Sequence, residues 1–310
     1  MMKILVVGAG AVGGYFGARL HEAGQQVTFL VRSKRRVQLQ KNGLIVKSRN
    51  GDLNIFDPHL ITTADVGAFD VVLMSTKSYH LHEAIEDVLP FVHSETIVIP
   101  LLNGIQHLDV LDSAFSKTQV YGGVAFIEST LSEDGHILHQ GANASMMYGR
   151  RTHSAPPSAT KVEKALSSVS DIKTRDTIES DMWQKYMLIT ILSGATTLFH
   201  TDVGTIRTST SAGSFIDRYI NEVARLIEQI APEMDAERLQ QKAKRQWQNL
   251  DASFKASMQK DKEKGQAVEY EHIQGYLLEK AKAYHLDAPA LQVVYANLEL
   301  YEQIRKGDFQ

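Results

Sequence analysis

An apolar run that breaks into closely spaced glycines and then into a helix-forming stretch leaves a chain few folding options. This chain has such a run at residues 3–20, KILVVGAGAVGGYFGARL. Ile4–Val7 reads as a buried strand, and Gly8-x-Gly10-x-x-Gly13 follows it directly. Gly8 permits a tight turn, Gly10 lets backbone approach a pyrophosphate, and Gly13 lets the new helix pack closely on the strand. The amides at Ala11, Val12 and Gly13, at the positive end of the helix dipole, then face the phosphates. A glycine triplet alone is weak evidence. Flanked by a strand and a helix, it predicts a dinucleotide-binding unit.

The end of the second strand, Gln26–Val31, decides which dinucleotide. A carboxylate there accepts both ribose hydroxyls of NAD, and this chain has none. It has Arg32, Ser33, Lys34, Arg35 and Arg36 instead, donors suited to a 2′-phosphate, with Arg able to bind it bidentately. NADPH is the expected cofactor, held by Gly8, Gly10, Ala11, Val12, Gly13 and Arg32.

With 310 residues, 43% of them hydrophobic, the chain can bury a large core and form two domains. The net charge of −3 offers no basic field for nucleic acid. The absence of cysteine excludes disulfides, thiolate nucleophiles and cysteine metal sites. His80-x-His82 has no carboxylate at ligand spacing, so no metal is expected. The longest later apolar run, Tyr186–Phe199, falls short of the roughly 20 residues that span a bilayer. Glycines interrupt the apolar start, which does not read as a signal peptide. A cytoplasmic protein without membrane partners is expected.

Short β-branched runs at Ile4–Val7, Val27–Val31, Val71–Ser75, Thr96–Pro100 and Val120–Phe126 alternate with helical stretches such as Gly13–Ala23 and Leu81–Val88. That alternation predicts a doubly wound parallel sheet. Leu44–Val46 and Leu53–Ile61 read as a hairpin around Asn50-Gly51. Ile137–His139 and Ser145–Tyr148 read as a second pair, both decorating the sheet, and Asp171–Arg175 reads as a short last strand. Beyond it the periodicity becomes helical, over Ser180–Leu198, Ser214–Ala231, Ala236–Met258, Gln266–Tyr284 and Ala290–Ile304. The expected fold is an α/β Rossmann-type N-terminal domain over 1–176, which binds NADP, with a mainly α-helical C-terminal domain over 177–310, which holds substrate. Tyr276, Tyr284, Tyr295 and Tyr301 recur on the last helices, where they pack the helical core or a subunit contact, as in a homodimer.

Further short patterns, in order behind the glycine loop, resemble the ketopantoate reductase (2-dehydropantoate 2-reductase) family. They are Ser75-Thr76-Lys77 after a sheet strand, Leu102-Asn103-Gly104, Asp181-Met182-Trp183-Gln184-Lys185, and Ser257-Met258-Gln259 followed by Glu269. The resemblance spans nearly the whole chain. It implies that Lys77 helps hold the cofactor, that Asn103 lies beside nicotinamide and substrate, and that Lys185 is the catalytic residue. It also implies that Ser257 and Glu269 contact the substrate, a small 2-oxo acid, with Glu269 accepting from a hydroxyl. The implied reaction is NADPH-dependent reduction of 2-dehydropantoate to pantoate, a step of pantothenate biosynthesis.

The chemistry is consistent with the residue types. Hydride transfer to a ketone builds negative charge on oxygen, and an ammonium supplies both charge and proton. Partial burial lowers a lysine pKa toward neutrality and eases that donation. The chain departs from the family at Ile189, Ser193 and Val203, where the family usually has asparagine. Positions 185, 189 and 193 share one helix face, so the departures predict a pocket with fewer amide donors and more apolar surface. Two alternatives stand beside ketopantoate reduction: reduction of a different 2-oxo acid, and a non-catalytic NADPH sensor.

Overall fold

In the computed structural model of the chain, residues 1–307 are described, so the last three residues of the 177–310 segment lie outside them. The chain divides into two compact units. The first is Met1–Leu102 with His107–Glu179, and the second is Asn103–Gln106 with Ser180–Gln310.

The first unit opens with β1 (Lys3–Val7), α1 (Ala11–Glu22), β2 (Gln26–Leu30) and α2 (Ser33–Asn42). β3 (Leu44–Ser48), β4 (Leu53–Ile55), β5 (His59–Ile61) and β6 (Val71–Met74) follow. Then come α3 (Leu81–Val88), β7 (Ile97–Pro100), α4 (His107–Ala114), β8 (Gly122–Leu131), β9 (Ile137–Gly149), α5 (Ala159–Leu166) and β10 (Ile172–Thr174). The main sheet runs β5-β2-β1-β6-β7, all parallel. β1 and β6 in its middle and β7 at its end, KILVV, VVLM and IVIP, are apolar and buried at every position but Lys3, the pattern of parallel strands covered on both faces.

The remaining strands form a second sheet, β10-β9-β3-β4 with β8 on β9, where the sequence pattern suggested two decorations. Three details of the pattern are corrected by it. Ile137–His139 and Ser145–Tyr148 are not two strands but parts of one, β9, antiparallel to β8. The polar stretch at Gly141–Asn143 is absorbed where the ladder register shifts between Ile127 and Ser129, an irregularity that reads locally as a turn. Leu53–Ile61 splits, since β4 completes the hairpin with β3 while β5 leaves to pair with β2. Val120–Phe126 is not a fifth strand of the parallel sheet: only Val120 bridges Val98 in parallel, and β8 then turns to β9.

The second unit is helical, with α6 (Ile178–Phe199), α7 (Val203–Thr208), α8 (Thr210–Ile230) and α9 (Ala236–Asn249). It continues with α10 (Ser257–Glu263), a wide π turn (Glu271–Gly275), α11 (Tyr276–Ala283) and α12 (Pro289–Lys306). The central stretch of α6 is buried nearly all round, as a helix inside a bundle must be. The expected single helix over Ala236–Met258 is two. Arg207 binds the carbonyls of Trp247, Gln248 and Leu250, ending α9, and the carbonyls of Ala252 and Phe254 accept from Gly204 and Val203 at the start of α7. The Arg207 donors satisfy carbonyls that a helix end leaves without an intrahelical partner. No helix among the described residues is long and apolar enough to cross a membrane.

Candidate active site

Strand register assembles the first group of residues. Val7 pairs with Leu30 on one side and Met74 on the other, so Gly8, Arg32 and Lys77 all follow the carboxyl ends of neighbouring strands, where open α/β sheets bind ligands. Gly8 has φ +94°, a left-handed turn that favours glycine. A Cβ on Gly13 would lie 1.9 Å from Ser75 Oγ and 2.5 Å from the Gly8 carbonyl, so close packing of α1 on the turn requires glycine there. A Cβ on Gly10 would meet nothing within 4 Å. Its side of the turn is open.

Gly10 caps α1 without a side-chain hydrogen bond, and the first turn of the helix carries no acid. The amides of Ala11, Val12 and Gly13 can therefore receive an anion, and the helix dipole favours one. Beside this turn, the hydroxyl of Thr76 is buried without a hydrogen-bond partner. The cradle fits a pyrophosphate.

The basic cluster divides by role. Arg32 caps α2 with an exposed guanidinium, and Lys34 is also exposed while Arg36 is half-buried. Arg35 spends its Nε and NH1 on the fold. Its Nε donates to the Ala9 carbonyl at 2.8 Å and its NH1 to the Gly135 carbonyl at 2.7 Å, which tethers the glycine turn to the β8–β9 connection. Burial pushes its pKa down. Arg32 itself is engaged by Glu83 on α3, with His80 Nε2 3.5 Å from its NH1. These two partners were not singled out in the sequence as cofactor-site residues, because no motif marks them.

Another group lies in the second unit. Lys185 is half-buried on α6. Burial lowers its pKa to about 8, against the opposing influence of the Glu269 carboxylate. Glu269 is buried, and the chain around it is anchored on both sides. The amide of Val268 donates to Glu302 Oε1 at 2.8 Å, and Tyr186, next to Lys185, donates its hydroxyl to the Ile273 carbonyl at 2.6 Å. The Asn103-Gly104 turn belongs to the same unit. Gly104 has φ +89°, and a Cβ there would stand 2.9 Å from the His272 carbonyl, so the turn presses against the wide turn that follows Glu269.

The structure thus brings Lys185 and Glu269 together and sets the Asn103 turn against the same segment. Ser257 opens α10 with its side chain exposed. Glu271 is exposed and accepts from Tyr295 at 3.1 Å. The departure positions separate. Ile189 is half-buried, one turn from Lys185, whereas Ser193 and Val203 are buried. Ser193 is taken by Gln274, whose amide nitrogen donates to its hydroxyl at 2.9 Å and stands 3.3 Å from the Thr190 carbonyl. Tyr219 also donates to that carbonyl, at 3.1 Å. Tyr186, Thr190 and Ser193 within the mainly apolar stretch 186–199 were the available signal of this buried network.

Among the described residues, no group of three or more His, Asp or Glu side chains could hold a metal ion.

The signature of Ketopantoate reductase PanE/ApbA matches residues 4–153, and that of its C-terminal domain residues 177–302. An uncharacterized oxidoreductase of Bacillus subtilis (strain 168), YkpB, is 42% identical over 302 residues, covering 97% of this chain and 99% of that protein. Two solved structures share the fold at 20% identity. One is D-mandelate dehydrogenase with NADH and anilino(oxo)acetate, with TM-score 0.88, covering 98% of this chain and 99% of that one. The other is a PanE/ApbA family ketopantoate reductase from Ralstonia eutropha JMP134, with TM-score 0.87, covering 98% and 100%. With both family signatures matched in order across most of its length, the chain belongs to the ketopantoate reductase family of oxidoreductases.

Proposed function

We propose that the chain reduces a small 2-oxo acid to a 2-hydroxy acid with NADPH, and that 2-dehydropantoate, giving pantoate, is the first substrate to test. The carrying observation is the half-buried Lys185 within electrostatic reach of the buried Glu269 carboxylate, burial lowering the amine's pKa to about 8. Bound NADPH supplies the hydride. In this reading residues 1–176 hold it through Gly8, Gly10, Ala11, Val12, Gly13, Arg32 and Lys77, and residues 177–310 hold substrate. Lys185 gives its proton to the carbonyl oxygen as negative charge builds there. Glu269 accepts from a distal hydroxyl, Ser257 donates to the carboxylate, and Asn103 orients the reacting pair. Association into a homodimer belongs to the same proposal.

Ile189 favours a second reading, a 2-oxo acid with a larger apolar substituent. An apolar side chain one turn from the proton donor cannot hydrogen-bond a substrate hydroxyl, and such a site discriminates weakly in favour of one. Initial rates of NADPH oxidation across branched, linear and aromatic 2-oxo acids, with 2-dehydropantoate included, separate the two. Best turnover of 2-dehydropantoate supports the first reading, and a bulkier apolar acid at the top supports the second. Absence of turnover with every acid overturns both.

Two expected results follow from named groups. Arg32→Ala costs NADPH binding about 1.5–3 kcal/mol, the scale of a hydrogen bond to a charged group, and leaves NADH nearly unchanged in direct titration. Equal losses contradict the phosphate assignment. The pH dependence follows from Lys185, because reduction needs the ammonium, which predominates below pH about 8 and is lost above it. The rate of reduction therefore falls as pH rises through about 8, while oxidation of the hydroxy acid, which needs the neutral amine, rises over the same range. A reductive profile flat across that interval removes Lys185 from the proton step.

A further inference from the structure

The acids of α3 stand where a 2′-phosphate has to be recognised. Arg32 NH2 donates to Glu83 Oε2, His80 Nε2 lies 3.5 Å from Arg32 NH1, and His80 Nδ1 lies 3.7 Å from the same Glu83 oxygen. Asp87, one turn further along α3, is close enough to Glu83 and Arg32 to feel both charges. Burial and the nearby guanidinium push the His80 pKa down, favouring the neutral imidazole. The local charge is thus one guanidinium shared by two carboxylates.

We propose that Glu83 sets how strongly the chain prefers a 2′-phosphorylated cofactor over its unphosphorylated counterpart, by competing with that phosphate for Arg32. The inference rests on the reading of Arg32 as the phosphate ligand. Exposure permits the competition, since the Arg32 and Glu83 side chains are 53% and 57% exposed. An ion pair so exposed is weak and exchanges readily. A phosphate dianion arriving at Arg32 has to displace the carboxylate and then stand beside it. Both effects lower affinity, and neither acts on a ribose hydroxyl. With the carboxylate present, the discrimination between NADPH and NADH is smaller than Arg32 alone could provide.

The test is direct titration of NADPH and NADH, by fluorescence or calorimetry, with wild type, Glu83→Gln, Arg32→Ala and the Glu83→Gln/Arg32→Ala pair. Glu83→Gln should tighten NADPH about two- to fivefold and leave NADH nearly unchanged, and most of the gain should be lost when Arg32 is absent. The further variant Glu83→Gln/Asp87→Asn guards against Asp87 taking the vacated place and should gain at least as much. Circular dichroism melts establish that each variant is folded. NADPH affinity unchanged or weaker in both Glu83 variants, with Arg32→Ala still losing NADPH, overturns the inference and leaves the phosphate reading intact. A loss of NADH alone in Glu83→Gln also overturns it, because the carboxylate would then be a ribose acceptor. Equal loss of both cofactors in Arg32→Ala takes down the inference together with the phosphate reading.

Discussion

Turnover in Lys185→Ala falls by about 10²- to 10⁴-fold, the range over which a positioned proton donor accelerates reactions, while NADPH affinity stays at the wild-type value. The separation is the informative part. Lys185 lies in the second unit, and the glycine turn, Arg32 and Lys77 lie in the first, so removing the amine leaves the proposed cofactor contacts in place. Single-turnover rates with saturating cofactor read the chemical step, and titration reads binding. Lys185→Arg keeps the positive charge but not a readily donated proton, since a guanidinium does not deprotonate in this range. It should recover substrate binding with little of the rate. Wild-type turnover in Lys185→Ala sinks the mechanism. Tight NADPH binding by wild-type protein, with no 2-oxo acid consumed, supports a sensor instead.

Gly13→Ala and Gly10→Ala should fail in different ways. The added methyl at 13 would sit 1.9 Å from Ser75 Oγ and 2.5 Å from the Gly8 carbonyl. Ser75 cannot swing aside freely, because its hydroxyl lies 2.9 Å from the Val7 carbonyl and 2.8 Å from that of Gly8. The helix must lift from the sheet, at a cost of about 1–3 kcal/mol for a core methyl without space. Both the denaturation midpoint and cofactor affinity should drop. At Gly10 the methyl meets no protein atom within 4 Å and the backbone has φ −86°, so the fold should keep its midpoint while NADPH binding weakens. Equal stability of Gly13→Ala and wild type would show that α1 packs less closely than its geometry requires.

These contrasts show what the sequence carried. The glycine spacing located a turn whose backbone angle and close contacts can be checked atom by atom, and the strand runs Ile4–Val7, Val71–Ser75 and Thr96–Pro100 held because short continuous apolar stretches have one good solution, a buried parallel strand. Lys185 and Glu269 came from resemblance, and the buried network beside them did not come at all. Gln274 meets Ser193 across 81 positions, and no local pattern encodes such a pairing. The three departures from the family pattern also separate in a way their spacing does not encode, since Ser193 and Val203 are buried and Ile189 is half-buried. The β9 error has a similar cause. Gly141-Ala142-Asn143 has turn chemistry, and the ladder steps over it between the pairs Ile127–Ala144 and Ser129–His139 before it resumes.

The tether from Arg35 has a consequence for how the chain is made. The glycine turn is tied through that guanidinium to the Gly135 carbonyl, 100 residues later, the Ser129 hydroxyl donates to the Ala11 carbonyl, and Ile137 lies against Gly14. A ribosome that has delivered only the first two strands has not yet delivered a finished nucleotide grip. Its tether is completed only once the β8–β9 connection has emerged, so the turn gains these contacts well after its own residues have been made.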